Sequence, residues 1–312
     1  MPLFKTEKSK IPSSLLSDRY VVPPFSIFNT ITSAWQKRKD IWECLGINSA
    51  EGRDVKRNNA MPVNTFSARG EQAKTPERTS TFDPVLCEII YKWFSKDGDR
   101  VLDLFAGGSV RGIVAGALNR DYLGVDLSKI QCEENKNQLV KFQSKYIIDG
   151  KVEWYNSDSE NVYLGADEYD LLFTCPPYYN IEKYSNDPKD LSNLPTYEEF
   201  LYKYGRILQK GYDSLKDDSF AIIVVSEVRN PKTGVFYGLV PDTIRLMTNA
   251  GFQYYNEIIL YNNIGSLPIR APKYFDQSRK IGRTHQNILV FYKGNIANIE
   301  TKFGKFENVP YI

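Results

Sequence analysis

From residue 81 onward the chain alternates between two spacings of apolar residues. Short runs rich in β-branched and aromatic side chains read as strands: RVLDLFA (100–106), DYLGVDL (121–127), VEWYNSD (152–158), EYDLLFT (168–174), FAIIVVS (220–226), residues 254–260 and QNILVFYK (286–293). Between them, apolar residues three and four apart predict helices over 83–94, 110–119, a long segment after Ser128, 197–215 and 241–251. Asp83 stands where the first of these needs an N-cap, and Pro84 falls in its first turn. This alternation predicts an α/β fold, with a mostly parallel sheet covered by helices on both faces. No internal repeat or low-complexity tract interrupts it.

The first 75 residues carry aromatic anchors (Tyr20, Phe25, Phe28, Trp35, Trp42) but little strand pattern. They read as an arm holding one amphipathic helix, SAWQKRKDIWECLG, with Trp35, Ile41, Trp42 and Leu45 near one face and Gly46 as its stop. Residues 53–80 are polar and read as loop. The expected division is therefore an arm over 1–75 and a catalytic unit over 76–312.

Composition narrows the class without naming it. The chain of 312 residues is 42% hydrophobic and 25% charged, with a net charge of +2, as in ordinary soluble globules. No apolar run approaches a membrane span, and the polar start MPLFKTEKSK lacks the apolar stretch of a signal peptide, so a cytoplasmic location is expected. Cys44, Cys87, Cys132 and Cys175 are scattered without metal-type pairing, which argues against a disulfide framework and against a zinc site. Basic clusters occur at 37–39, at 53–57 and between Arg270 and Arg283.

The candidate chemistry gathers at strand ends. FTCPPYYN (173–180) runs from an apolar strand into a rigid corner, because each proline fixes φ and lacks an N–H. Carbonyl oxygens left without internal donors, beside a tyrosine ring, suit a flat ring bearing an amino group. Upstream, VLDLFAGGSVRG (101–112) is a strand, an acidic residue and glycines opening a helix. Asp126 follows Gly107 by 19 residues, the spacing at which an acidic residue takes a ribose hydroxyl pair. Asp103, Asp126 and Asp158 close three successive strands, which favours a nucleoside ligand over three unrelated helix caps.

On these motifs the chain resembles the amino-directed DNA methyltransferases that use S-adenosylmethionine. The resemblance implies a Rossmann-like methyltransferase fold with a seven-stranded, mostly parallel sheet. It implies a cofactor turn at Phe105, Ala106, Gly107, Gly108 and Ser109, a ribose contact at Asp126 with Leu127 beside it, and Asp103 and Asp158 as further cofactor residues. Thr81, Phe82 and Asp83 match the helix start at the methionine end of the cofactor. Cys175, Pro176, Pro177 and Tyr178 match the catalytic motif. Double-stranded DNA is the implied partner, with the target adenine or cytosine flipped out of the duplex. A bacterial or phage-infected cell, a homodimer and a partner nuclease stay open.

Cys175 departs from the family, which has Asp, Asn or Ser at that position. A thiol is a weak acceptor and mostly neutral near pH 7. It stands as a serine-like acceptor beside the Pro176 carbonyl, as a thiolate nucleophile, or as a mark of altered activity. Tyr179, Asn180 and Tyr184 follow the corner and line the pocket or a lid. The single histidine, His285, reads as a structural hydrogen-bonder. GSLPIRAPKYFDQSRKIGR, within a basic insertion at about 262–284, reads as a DNA-contacting loop with Arg270, Lys273, Arg279, Lys280 and Arg283 facing phosphate. Competing readings are a methyltransferase of the same fold acting on RNA or protein, and a catalytically idle DNA-binding relative.

Overall fold

The computed structural model describes residues 15–47, 56–57, 82–180 and 182–306. Thr81 and all but two residues of the expected polar loop at 53–80 lie outside them. Along the chain the elements are α1 (Leu15–Tyr20), β1 (Ile27–Asn29), α2 (Ser33–Cys44), β2 (Lys56–Arg57), α3 (Pro84–Phe94), β3 (Arg100–Asp103), α4 (Val110–Ala117), β4 (Asp121–Asp126) and α5 (Lys129–Gln143). There follow β5 (Val152–Asn156), β6 (Tyr169–Thr174), β7 (Glu182–Lys183), α6 (Tyr197–Ser214), β8 (Leu215–Val225), α7 (Leu239–Ala250), β9 (Gln253–Tyr261), α8 (Leu267–Ser278), β10 (His285–Lys293) and α9 (Ile299–Phe303).

The main sheet has the order β1-β9-β10-β8-β6-β3-β4-β5. All its pairings are parallel except those of β10, which runs antiparallel to both β8 and β9. A parallel sheet that reverses direction of growth at β3 and accepts one antiparallel strand near its far edge is the Rossmann-like methyltransferase fold. It has one strand more than the seven expected. Ile27–Asn29, from the arm, pairs in parallel with Ile259–Tyr261. Three residues of alternating burial are too short to stand out as a strand in sequence.

Side chains of the central strands alternate between two cores, as the two-residue strand period requires. Leu171 and Phe173 join Ile222, Val224, Ile288 and Val290 under the helices α3, α4 and α5. Leu172, Ala221, Ile223 and Leu289 instead meet α6 and α7. The expected start of α3 is present: Asp83 accepts from the Val85 N–H at 2.9 Å, with Pro84 opening the helix. Helix α6 starts on a capping box between Thr196 and Glu199.

The arm helix α2 packs on α3 through buried polar contacts. Arg38 and Trp42 donate to the fully buried Glu88 carboxylate, and Trp35 Nε1 donates to Asp83 at 3.1 Å. Burial alone would push the Glu88 carboxyl up, yet the Arg38 guanidinium and Lys92 ammonium hold it below its ordinary value. The result places Gln36 and Lys39 of the arm on the wall of the main cavity.

One expectation fails here. Much of the stretch read as a basic loop is the helix α8, with Pro268 in its first turn and Pro272 inside it. An N-terminal proline occupies a position whose N–H has no helical partner in any case, so the first proline does not break the helix. No residue of α8 is buried.

Candidate active site

A single cavity of about 1520 Å³ runs along the carboxyl ends of the parallel strands. It is lined by Phe82, Asp83, Phe105, Gly107, Asp126, Leu127, Asp158, Cys175, Pro176, Pro177 and Tyr178, together with Arg270 and Arg283. The glycine turn and the Pro-Pro-Tyr corner, 69 residues apart between Phe105 and Thr174, thus face one space. A cavity of this size exceeds the ~300–1000 Å³ typical of a single small-molecule pocket.

The turn after β3 is built from the inside. Asp103 is fully buried and accepts from Arg111 Nε at 2.5 Å, Tyr122 OH at 2.7 Å, Thr174 Oγ1 at 2.6 Å and the Phe105 N–H at 3.1 Å. Burial opposes charge on Arg111, but the Asp103 carboxylate overrides it and keeps the guanidinium firmly ionised. Arg111 then donates to the Phe105 and Ala106 carbonyls at 2.7 and 2.9 Å, which fixes the backbone of the turn. It also sits 4.4 Å from the centre of the Phe82 ring.

Thr174 joins the two motifs. Its hydroxyl donates to Asp103 and accepts from the Phe105 N–H at 3.0 Å. Because Cys175 follows directly, these hydrogen bonds tie the corner to the turn. Gly107 takes a positive φ of 51°, where a side chain would be strained. Its N–H donates to Asp126 Oδ2 at 2.8 Å, and Ser128 N–H donates to Asp126 Oδ1 at 2.8 Å. On the other side, buried Asn135 donates to the Gly107 carbonyl at 2.7 Å, held in turn by Gln131.

Asp158 also lies on the wall. It receives the Glu160 N–H at 3.1 Å, Asn161 Nδ2 at 3.0 Å and the Lys203 ammonium at 3.3 Å. At the corner, Tyr178 accepts from Gln286 Nε2 at 2.8 Å, and its hydroxyl lies 3.8 Å from the Cys175 sulfur. Burial, with Cys175 beside it, pushes the Tyr178 phenol well above its usual value, so it stays neutral. The next residue, Tyr179, has a φ of +52°. That rare conformation turns its ring away from the cavity and into the aromatic cluster of Tyr197, Phe200 and Tyr237. Two consecutive tyrosines therefore have opposite fates.

Not every expected residue reaches the cavity. Asp103, Ala106, Gly108 and Ser109 are absent from its wall. Asp103 and Ser109 are fully buried, Asp103 with the four donors above and Ser109 with Gln138. Arg270 and Arg283 line the cavity, whereas Lys273, Arg279 and Lys280 do not. Tyr184 lines it, and His285 does so while its carbonyl accepts from Arg283 Nε at 3.1 Å. Residues not singled out in the sequence complete the site: Arg111, Thr174, Asn135, Lys203, Glu227 and Gln286. Only Thr174 left a trace there, as the polar residue ending the strand before the corner.

With this geometry in place, comparison with known proteins gives the following. Residues 9–137 match the DNA methylase family. The matched segment contains α2, α3 and the glycine turn, and it ends before the Cys175 corner. No curated protein matches the chain. Among solved structures, a TehB-like SAM-dependent methyltransferase from Corynebacterium glutamicum is 14% identical, covering 64% of this chain and 82% of that one at a TM-score of 0.37. Magnesium protoporphyrin IX methyltransferase from Synechocystis, with bound SAM, is 15% identical over 64% of this chain and 71% of its own, at 0.38. A candidate DNA modification methylase from Thermus thermophilus is 20% identical, over 44% and 49%, at 0.32. Among the described residues, no helix is long and apolar enough to cross a membrane.

Proposed function

We propose that the chain is an S-adenosylmethionine-dependent DNA methyltransferase acting on the exocyclic amine of a flipped adenine or cytosine. The observation that carries this reading is one cavity shared by a glycine turn of nucleoside-binding type and a Pro-Pro-Tyr corner, tied together through Thr174 and Asp103. The DNA methylase match over 9–137 supports the substrate.

The donor set fits the cofactor. Asp126 faces the cavity at the end of β4, where a carboxylate suits a ribose diol, and Asp158 and Leu127 stand beside it. Phe82, Asp83, Phe105 and Gly107 form the adjoining wall. Held by these residues, S-adenosylmethionine would supply an electrophilic sulfonium methyl for transfer to the amine nitrogen, with sulfur as the leaving group and one amine proton passing to water.

The protein's contribution is positioning and electrostatics. An exocyclic amine has its lone pair delocalised into the ring, and hydrogen bonds from its N–H groups to fixed acceptors favour the geometry in which that pair is available. The Pro176 carbonyl and the Cys175 sulfur are the corner's acceptors. Tyr178, held by Gln286, offers a ring face to the base, a contact worth about 1–3 kcal/mol. Arg270 and Arg283 at the cavity, with exposed Lys273 and Arg279 on and after α8, are the phosphate-facing residues of this reading.

Tritiated methyl transfer to genomic DNA, followed by mass spectrometry of the nucleosides, tests it. A methylated adenine or cytosine amine is the expected product. A ring-carbon product overturns the mechanism, and label in RNA or protein but not in DNA overturns the substrate.

A further inference from the structure

We infer that Glu227 is the acceptor that holds the target amine in the cavity, a role that rests on the amine-directed reading above. Strand order divides the cavity into two halves about the corner on β6. Gly107, Asp126 and Asp158 lie on the side of β3, β4 and β5, whereas Glu227, just past the end of β8, and Gln286, on β10, lie on the other side. The first half carries the groups suited to a nucleoside methyl donor, so the second is where its acceptor substrate fits. Thr174 pairs with Ile223, so the corner and Glu227 leave neighbouring strands within a few residues of one level.

Glu227 is unusual among the cavity residues. Three buried side-chain atoms have no hydrogen-bond partner among the described residues: Gln138 Nε2, Trp154 Nε1 and Glu227 Oε2. Of these residues only Glu227 lies on the cavity wall. Its other oxygen is anchored, because the Val240 N–H in the first turn of α7 donates to Oε1 at 2.9 Å. A carboxylate only accepts hydrogen bonds. Arg283 is close enough to feel the Glu227 charge but gives its own hydrogen bonds to Asn287 and the His285 carbonyl. A carboxylate with one oxygen anchored and the other closed off and without a donor is an unsatisfied group of the kind that a ligand's N–H relieves once the side chain turns that oxygen to the cavity.

The departure at Cys175 gives this acceptor its purpose. An exocyclic amine has two N–H groups and needs two acceptors, and a sulfur is a weak one. The Pro176 carbonyl with Glu227 Oε2 makes a stronger pair than the corner alone. A base bearing a ring carbonyl in place of the amine would set oxygen against carboxylate, so the same residue selects for aminated bases.

The test measures nucleoside binding to the full chain with S-adenosylhomocysteine present. Deoxyadenosine is compared with deoxyinosine, and deoxycytidine with deoxyuridine, in the wild type, Glu227→Gln and Glu227→Ala. Glutamine keeps an oxygen for the Val240 N–H, and unchanged S-adenosylhomocysteine affinity reports an intact fold. We expect one aminated nucleoside to bind the wild type at least about tenfold more tightly than its oxo counterpart, and both variants to lose that preference. A preference that survives in the variants, or its absence from the wild type, overturns the inference. Methyl transfer to genomic DNA is measured in parallel. An active wild type matched by an equally active Glu227→Gln overturns the role of Glu227 alone. A wild type that transfers no methyl to DNA, yet shows a Glu227-dependent amine preference, overturns the methyltransferase reading and upholds the acceptor.

Discussion

Substituting Asp103 should damage the site from beneath it. Asp103 is fully buried, and its carboxylate is the counter-ion of Arg111, whose side chain is 5% exposed. Asp103→Leu leaves a buried guanidinium without its anion and strips acceptors from Tyr122, Thr174 and the Phe105 N–H. Breaking a buried ion pair from one side costs about 3–5 kcal/mol. For a chain of this length a kilocalorie moves the unfolding midpoint by roughly 2 °C, so the expected fall is about 6–10 °C. Arg111→Met should cost less, because three of the four donors to Asp103 remain. Both variants loosen the Phe105 and Ala106 carbonyls, so both should weaken S-adenosylhomocysteine binding well below the unfolding temperature. Thermal unfolding by circular dichroism and calorimetric titration read the two effects separately. A loss under about 1 kcal/mol in Asp103→Leu, with ligand affinity unchanged, would refute the claim that this pair builds the turn.

Other outcomes follow from the same contacts. Cys175→Ser should retain substantial methyl transfer to DNA, since a hydroxyl replaces the sulfur as acceptor; complete loss would count against the serine-like role. Gly124→Ala should destabilise the sheet beside the turn, because a new Cβ would meet Ala106 Cβ at 2.8 Å and the Trp154 ring at 2.9 Å; an unaltered melting curve would contradict that packing. Glu88 has its carboxyl held below the ordinary value, so its contribution to stability is whole above about pH 4.5 and is lost as pH falls through the folded-state value. Glu88→Gln should therefore lower stability at neutral pH and flatten its decline in acid, as urea melts from pH 3 to 7 would show. Gln286→Leu should slow methyl transfer by releasing Tyr178 while leaving cofactor affinity unchanged.

The order of elements, the two motifs and the starts of α3 and α6 were legible along the chain because each depends on neighbours in sequence. A strand shows its period, an N-cap lies beside its helix, and prolines constrain their own backbone. The helix α8 was misread because proline and glycine weaken the local signal, although a proline in a first helical turn does no harm. The strand Ile27–Asn29 was missed because its stability comes from an edge of the sheet more than two hundred residues away.

The chain by itself determined which residues can do chemistry: a corner without N–H groups, a turn that accepts positive φ, and carboxylates at strand ends. Only the tertiary structure decided which of them line one cavity. Asp103 and Asp126 look alike in sequence, each closing a strand of the same sheet. Three-dimensional packing surrounds the first with four donors and sets the second on a cavity wall. The same holds for the adjacent Tyr178 and Tyr179, of which the second is left-handed, and for Glu227, one oxygen of which takes the Val240 N–H of α7 while the other has no donor among the described residues. Burial and hydrogen-bond satisfaction are properties of contacts between distant segments, so no local pattern can carry them.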